Sequence, residues 1–135
     1  MQLKKWDCIP EFMRNGQVKP YYDLLRKKRA SLFFKRLFDV IVGILMLILL
    51  TPVFITVYIW IKIDSSGPVF FRQVRITQYG REFRIFKFRT MVANADKIGT
   101  QVTVSNDSRV TRVGEKLRKY RLDELPQLIN IILGD

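Results

Sequence analysis

Hydrophobic and polar positions follow no sustained period over residues 1–19, fall into helical spacing from Pro20, and then merge into an unbroken apolar run from Val40 to Ile61. That run reads VIVGILMLILLTPVFITVYIWI, with Asp39 before it and Lys62 after it. As a straight helix its 22 residues would extend ~33 Å, enough to cross the hydrocarbon of a bilayer. The pattern therefore predicts a membrane helix. Pro52 follows Thr51 just past the middle of the run. Proline removes a backbone donor and crowds the preceding turn, so a kink or break is expected there. Upstream, Tyr21, Leu24, Leu25, Leu32, Phe33 and Leu37 recur near helical spacing, with Arg26, Lys27, Lys28 and Arg29 among them. This predicts a basic amphipathic helix in the interface plane, with Lys35 and Arg36 reaching toward phosphates. The alternative is a linker with a solvated charge run. Residues 1–19, with Pro10 and Gly16, read as a loop or loosely docked arm.

Beyond Ile61 the pattern shortens. Ser65-Ser66-Gly67-Pro68 is a turn cluster. Val69 to Ile76 and Phe83 to Arg89 are β-rich and flank Thr77 to Arg81, which predicts a hairpin with a longer loop. Arg84, Phe86 and Phe88 alternate with Ile85, Lys87 and Arg89. Lys87 and Arg89 thus project the same way, to hold a phosphate or simply to face solvent or headgroups. A short helix is expected over Val92 to Ile98, a strand over Thr100 to Val104, and a turn at Asn106-Asp107-Ser108. Thr111 to Tyr120 reads as a basic helix with Val113 and Leu117 on one face. An apolar helix opens near Asp123, with Pro126 in its first turn, and runs to Leu133. The fold class is an α+β membrane protein in three stretches: an arm (1–19), an interfacial helix leading into a membrane helix (20–63), and a small head of a β-hairpin and short amphipathic helices (64–135).

Charge alters the picture of the membrane helix. Residues 1–39 carry ten Lys/Arg against four acids, and residues 62–135 carry fourteen against eight. Each flank is +6, whereas positive charge marks the cytoplasmic side of a simple span. A re-entrant helix–break–helix that returns to the side it entered from satisfies both flanks; an ordinary kinked span is the other arrangement. The net charge of +12 suits anionic headgroups, and no nucleic-acid partner is expected. The 135-residue chain has no histidine and one cysteine, Cys8. An intramolecular disulfide, a classical zinc site and Ser-His-Asp or Cys-His catalysis are thereby excluded. Chemistry falls to carboxylates, Lys/Arg, Tyr or a hard metal held by oxygen. The apolar run begins too far into the chain for a cleavable signal peptide.

Asp123 and Glu124 are the strongest chemical candidates. At a helix N-terminus free amides and the macrodipole favour anions, and Arg118, Lys119 and Arg121 precede them. Carboxylates amid cations suit Mg²⁺, which takes oxygen ligands and shares substrate phosphates. A carboxylate also serves as a covalent nucleophile in phosphoryl transfer. The plainer alternative is that Asp123 caps the helix and Glu124 complements its dipole.

Several blocks occur in order: Lys35 to Asp39 (KRLFD) before an apolar run broken at a hydroxyl–proline pair, GPVFFRQ at 67–73, FKFRTM at 86–91, and LDELPQL at 122–128 ending in LGD. Together they resemble the bacterial sugar transferases, the monotopic polyprenyl-phosphate phosphoglycosyl transferases, from about Phe34 to Asp135. The resemblance implies a re-entrant membrane helix, both termini cytoplasmic, at the bacterial inner membrane. It implies a Mg²⁺-dependent two-step reaction that initiates capsule, exopolysaccharide or glycoconjugate synthesis. A sugar 1-phosphate passes from a UDP-sugar to an enzyme carboxylate, releasing UMP, and then to polyprenyl phosphate. Asp123 then resembles the nucleophile and Glu124 its acidic partner, with the metal at the same place. Lys87 and Arg118 resemble the family's phosphate-facing cations, and Arg89 is a further candidate. Thr51-Pro52 matches the helix-breaking Ser-Pro, and Lys35 and Arg36 the membrane anchor.

The family pattern continues past the Gly-Asp at which this sequence ends. The chain is therefore expected to be the N-terminal part of such an enzyme, acting as a homo-oligomer or with a C-terminal half supplied in trans. The alternative is an inactive, membrane-anchored remnant.

Overall fold

The computed structural model describes residues 3–95 and 107–135. The N-terminal arm is ordered by aromatic contacts. Trp6 meets Tyr22 edge to face at 5.0 Å, the Tyr22 hydroxyl donates to the Lys4 carbonyl at 3.0 Å, and Ile9 is buried. Helix α1 (Lys19–Lys27) opens with Pro20 in its first turn, where the missing N–H costs nothing. It ends at Lys28, and helix α2 (Arg29–Asp64) follows at once. Leu32, Phe33 and Leu37 thus belong to the long helix and not to a separate interfacial one.

Helix α2 is long and apolar enough to cross a membrane. Its helical conformation runs from Arg29 to Asp64 with Pro52 inside it, at the point where the sequence predicts a kink or break. Pro52 has no N–H to give to the fourth carbonyl before it. The flanking hydroxyls bond to other carbonyls of the helix, Thr51 Oγ1 donating to the Leu47 carbonyl and Thr56 Oγ1 to the Pro52 carbonyl, both at 2.9 Å. Such back-bonding keeps hydroxyls satisfied in an apolar setting.

The head contains a hairpin of β1 (Phe70–Ile76) and β2 (Glu82–Phe88), antiparallel with Phe70 opposite Phe88 and Ile76 opposite Glu82. Tyr79, at φ 64°, occupies the left-handed region in the connecting turn. Phe88 stacks on Phe70 at 5.4 Å and tilts against Phe54 of α2 at 5.3 Å. Helix α3 (Arg112–Lys119) is capped twice: the Thr111 hydroxyl accepts from Gly114 N, and the Asp64 carboxylate accepts from Val113 N. Val57, Ile61, Val69, Phe88 and Leu117 form the buried core, with Val53, Phe54, Val113 and Leu122 packed around it. The second half of α2 is therefore one wall of the head. The helix expected over Val92 to Ile98 is, as far as Ala95, a single turn closed by Ala95 N on the Val92 carbonyl. The strand expected over Thr100 to Val104 lies outside the described residues. The turn after it is held by Asp107, whose carboxyl is lowered to about 2 by hydrogen bonds from Arg109.

Helix α4 (Gln127–Leu133) joins the hairpin to the first half of α2. Its buried Asn130 treats the free edge of β2 as a neighbouring strand would: Oδ1 accepts from Phe86 N at 2.9 Å and Nδ2 donates to the Arg84 carbonyl at 3.1 Å. At its C-terminus Arg36 donates to the Ile131 carbonyl and, at 2.6 Å, to the Ile132 carbonyl. Gly134 takes the left-handed cap position at φ 89°. Arg81 and Asn130 both reach Asp135, at 2.9 and 3.1 Å.

Candidate active site

Asp123 and Glu124 do not open α4. They lie on a separate 3-10 turn, Leu122–Glu124, and α4 starts at Gln127. Pro126 accounts for the separation, since it has no N–H to bond the Leu122 carbonyl and so cannot extend a regular ladder through the pair. Leu122 plugs the turn against the core, and Pro126 is fully buried on its other side. Arg121 enters the turn in the left-handed region at φ 57°. That conformation costs a non-glycine residue ~1 kcal/mol or more and persists only where the surroundings impose it. Here it redirects the chain leaving α3, so that the pair faces β2.

The two carboxylates have different surroundings. Asp123 is buried, and its Oδ1 has no hydrogen-bond partner. Burial raises its pKa, Lys87 opposes the rise, and the charge of Glu124 adds to it. Glu124 accepts a hydrogen bond from Lys87 Nζ at 2.9 Å and lies 3.6 Å from Arg121. The bond from Lys87 lowers its pKa. One group is thus an ionised, paired acid, and the other a desolvated carboxyl beside cations. Environments that push neighbouring carboxyls apart in this way characterise sites where two acids divide two roles. Arg118 supplies the second cation: its Nε donates to the Thr90 hydroxyl at 2.9 Å, which aims the guanidinium from α3 across the end of β2.

Asp123, Glu124, Lys87 and Arg118 therefore come together. Arg89 does not join them. Its guanidinium donates to the Ser65 and Ser66 carbonyls and to Ser65 Oγ, each at 2.8 Å, and it is buried. It braces the turn between α2 and β1. Arg89→Lys keeps the charge and loses the fork, so it is expected to destabilise the fold by about 2 kcal/mol. A lowered thermal-denaturation midpoint checks this, and an unchanged midpoint would refute the bracing role. Lys35 and Arg36 are also engaged internally, Lys35 with Asp39 at 2.5 Å and Arg36 with α4. Sequence reasoning missed Asn130. Its only trace was one amide inside the apolar stretch LINIIL.

Among the described residues no group of three or more acidic, cysteine or histidine side chains is placed to hold a metal. The pair alone offers two carboxylates, one with an unpartnered buried oxygen. That donor set fits a hard cation that completes its shell with water and phosphate oxygens.

Comparison with known proteins places residues 30–135 within the model of a family described as bacterial sugar transferase. A UDP-N-acetylgalactosamine-undecaprenyl-phosphate N-acetylgalactosaminephosphotransferase of Aeromonas hydrophila is 43% identical over 103 residues, covering 76% of this chain and 24% of that protein. A UDP-glucose:undecaprenyl-phosphate glucose-1-phosphate transferase of Escherichia coli is 42% identical over 125 residues, covering 92% of this chain and 26% of that protein. An exopolysaccharide production protein PSS of Rhizobium leguminosarum is 42% identical over 105 residues, 77% of this chain and 52% of that protein. The chain thus spans between about a quarter and a half of the length of these relatives.

Proposed function

The chain belongs to the bacterial sugar transferase family, and on that premise we propose that it transfers a sugar 1-phosphate from a UDP-sugar to polyprenyl phosphate through a covalent phosphosugar on Asp123. The observation that carries this reading is the buried Asp123 carboxyl, with an unpartnered oxygen, held beside Lys87 and Arg118. An Asp123 oxygen attacks the phosphorus that bears the sugar. The bond from that phosphorus to the bridging oxygen breaks, and UMP leaves with the electron pair. A polyprenyl phosphate oxygen then attacks the same phosphorus and displaces the Asp123 carboxylate, giving the polyprenyl-diphosphate sugar. Lys87 and Arg118 offset the charge that gathers on the phosphoryl oxygens, where fixed cations contribute most. Glu124 holds Lys87 in place. Asp123 and Glu124 are also the residues that would hold Mg²⁺, which when bound supplies charge neutralisation to the diphosphate.

The test is UMP release from a panel of UDP-sugars by the full chain in nanodiscs, with Mg²⁺ and polyprenyl phosphate. Release that depends on Asp123 supports the proposal, and no release from any sugar overturns it.

We read α2 as re-entrant, at the cytoplasmic face of the bacterial inner membrane. The same small head binds α2 near its start, through Arg36, and at its end, through Val57, Ile61 and Asp64. A head on one side of a bilayer cannot do both along a straight span. Cys8 lies before the helix and is exposed. It and a Lys119→Cys variant, made in a Cys8→Ser chain, are both expected to resist an impermeant thiol reagent in intact cells and to react in lysed ones. Labelling of either from outside would overturn this topology.

A further inference from the structure

A cleft of about 660 Å³ lies between the last turns of α2 and the outer side of α3, away from Asp123. One wall is apolar: Trp60 is 47% and Ile63 80% exposed, and they prolong the surface of the long apolar helix. The other wall carries Arg112 and Lys116, one helical turn apart and exposed. Neither side chain makes a hydrogen bond or ion pair with another described residue. Arg118 lies two residues beyond Lys116, about 200° round the helix, and turns inward to Thr90. The two cations are therefore not part of the phosphate-facing set. The acid in the cleft, Asp64, has one carboxylate oxygen accepting from Val113 N, and it leaves two cations against one anion.

An indole at the end of an apolar helix belongs at the level of the headgroups. Cations one turn apart beside it stand where lipid phosphates lie, and phosphate attracts them while the apolar wall accepts glycerol and the first methylenes. We infer that this cleft binds the headgroup of an anionic phospholipid of the surrounding bilayer. It is a site separate from the one that reacts. The inference rests on the membrane placement of α2 given above and not on the transferase reaction.

The full chain carrying Trp6→Phe leaves Trp60 as its single indole. In nanodiscs its fluorescence is quenched by phospholipids bearing a nitroxide on the headgroup, offered as anionic phosphatidylglycerol or zwitterionic phosphatidylcholine at equal mole fraction. The expected result is quenching at least about twofold stronger from the anionic lipid. Arg112→Gln with Lys116→Gln removes that preference. Arg26→Gln with Lys27→Gln makes the same change of charge in α1 and retains it. Equal quenching by both lipids overturns the site. So does an equal loss in the α1 control, which would assign the preference to net charge. An acyl-chain nitroxide reports insertion separately: if it fails to quench Trp60, the membrane placement falls and the site with it.

Discussion

Asp123→Asn is expected to abolish UMP release, by at least about 10³-fold, and at the same time to raise the thermal-denaturation midpoint. The first effect follows from the loss of the attacking oxygen, since an amide cannot form the acyl phosphate. The second follows from the site. Burial raises the Asp123 pKa above 3.8 in the folded chain, so the folded state disfavours the ionised form. A carboxyl with a raised folded pKa costs nothing below its unfolded value, and its full cost is present above the folded one. Stability gained by the asparagine variant should therefore be absent at the acid end and grow as pH rises through the Asp123 titration. Melting curves of the two proteins across that range, beside the UMP assay, check both halves. A variant that loses activity and melts lower at neutral pH would mean that the Asp123 charge holds the turn together, contrary to a desolvated nucleophile.

The largest structural effect is expected from Gly114→Ala. In an exposed helix this exchange stabilises by about 1 kcal/mol. Here an added Cβ would lie 2.0 Å from the Thr90 carbonyl oxygen and 2.6 Å from its carbon. The neighbour is backbone, and it is fixed: Thr111 N donates to that carbonyl at 3.0 Å, and Arg118 holds the Thr90 side chain. Helix α3 must move out, loosening Leu117 in the core and shifting Arg118 and the Leu122–Glu124 turn that follows. Overpacking against immovable backbone outweighs helix propensity, and a net loss of about 3 kcal/mol or more is expected. A denaturant titration in detergent decides the sign. A variant as stable as the parent would show that α3 does not sit on the Thr90 backbone.

Much of this architecture was legible because it is local. Apolar spacing located α2, the hairpin, α3 and α4, and the Asp-Glu pair stood out as acids in a basic stretch. What stayed hidden depends on partners far along the chain. Pro52 reads as a kink or break, and the sequence does not show that the Thr51 and Thr56 hydroxyls on either side bond to carbonyls within the same helix. Arg89 shares the strand pattern of Lys87, and only the fold decides that one meets Ser65 and Ser66 while the other meets Glu124. Pro126 looked like the first turn of a helix begun at Asp123. Its missing donor instead leaves the pair on its own turn.

The Asn130 amide closes an edge of β2 that is 44 residues behind it in sequence. Arg36 waits 96 residues for the Ile132 carbonyl. Until the ribosome has delivered α4, the hairpin presents an open edge, and an open edge recruits other strands. During that interval the first half of α2 likewise lacks the Arg36 and Gly43 contacts that α4 supplies. Closure of the sheet edge thus waits for α4, after the hairpin itself has formed. A translational pause before α4 would lengthen the period in which the hairpin is prone to mispair.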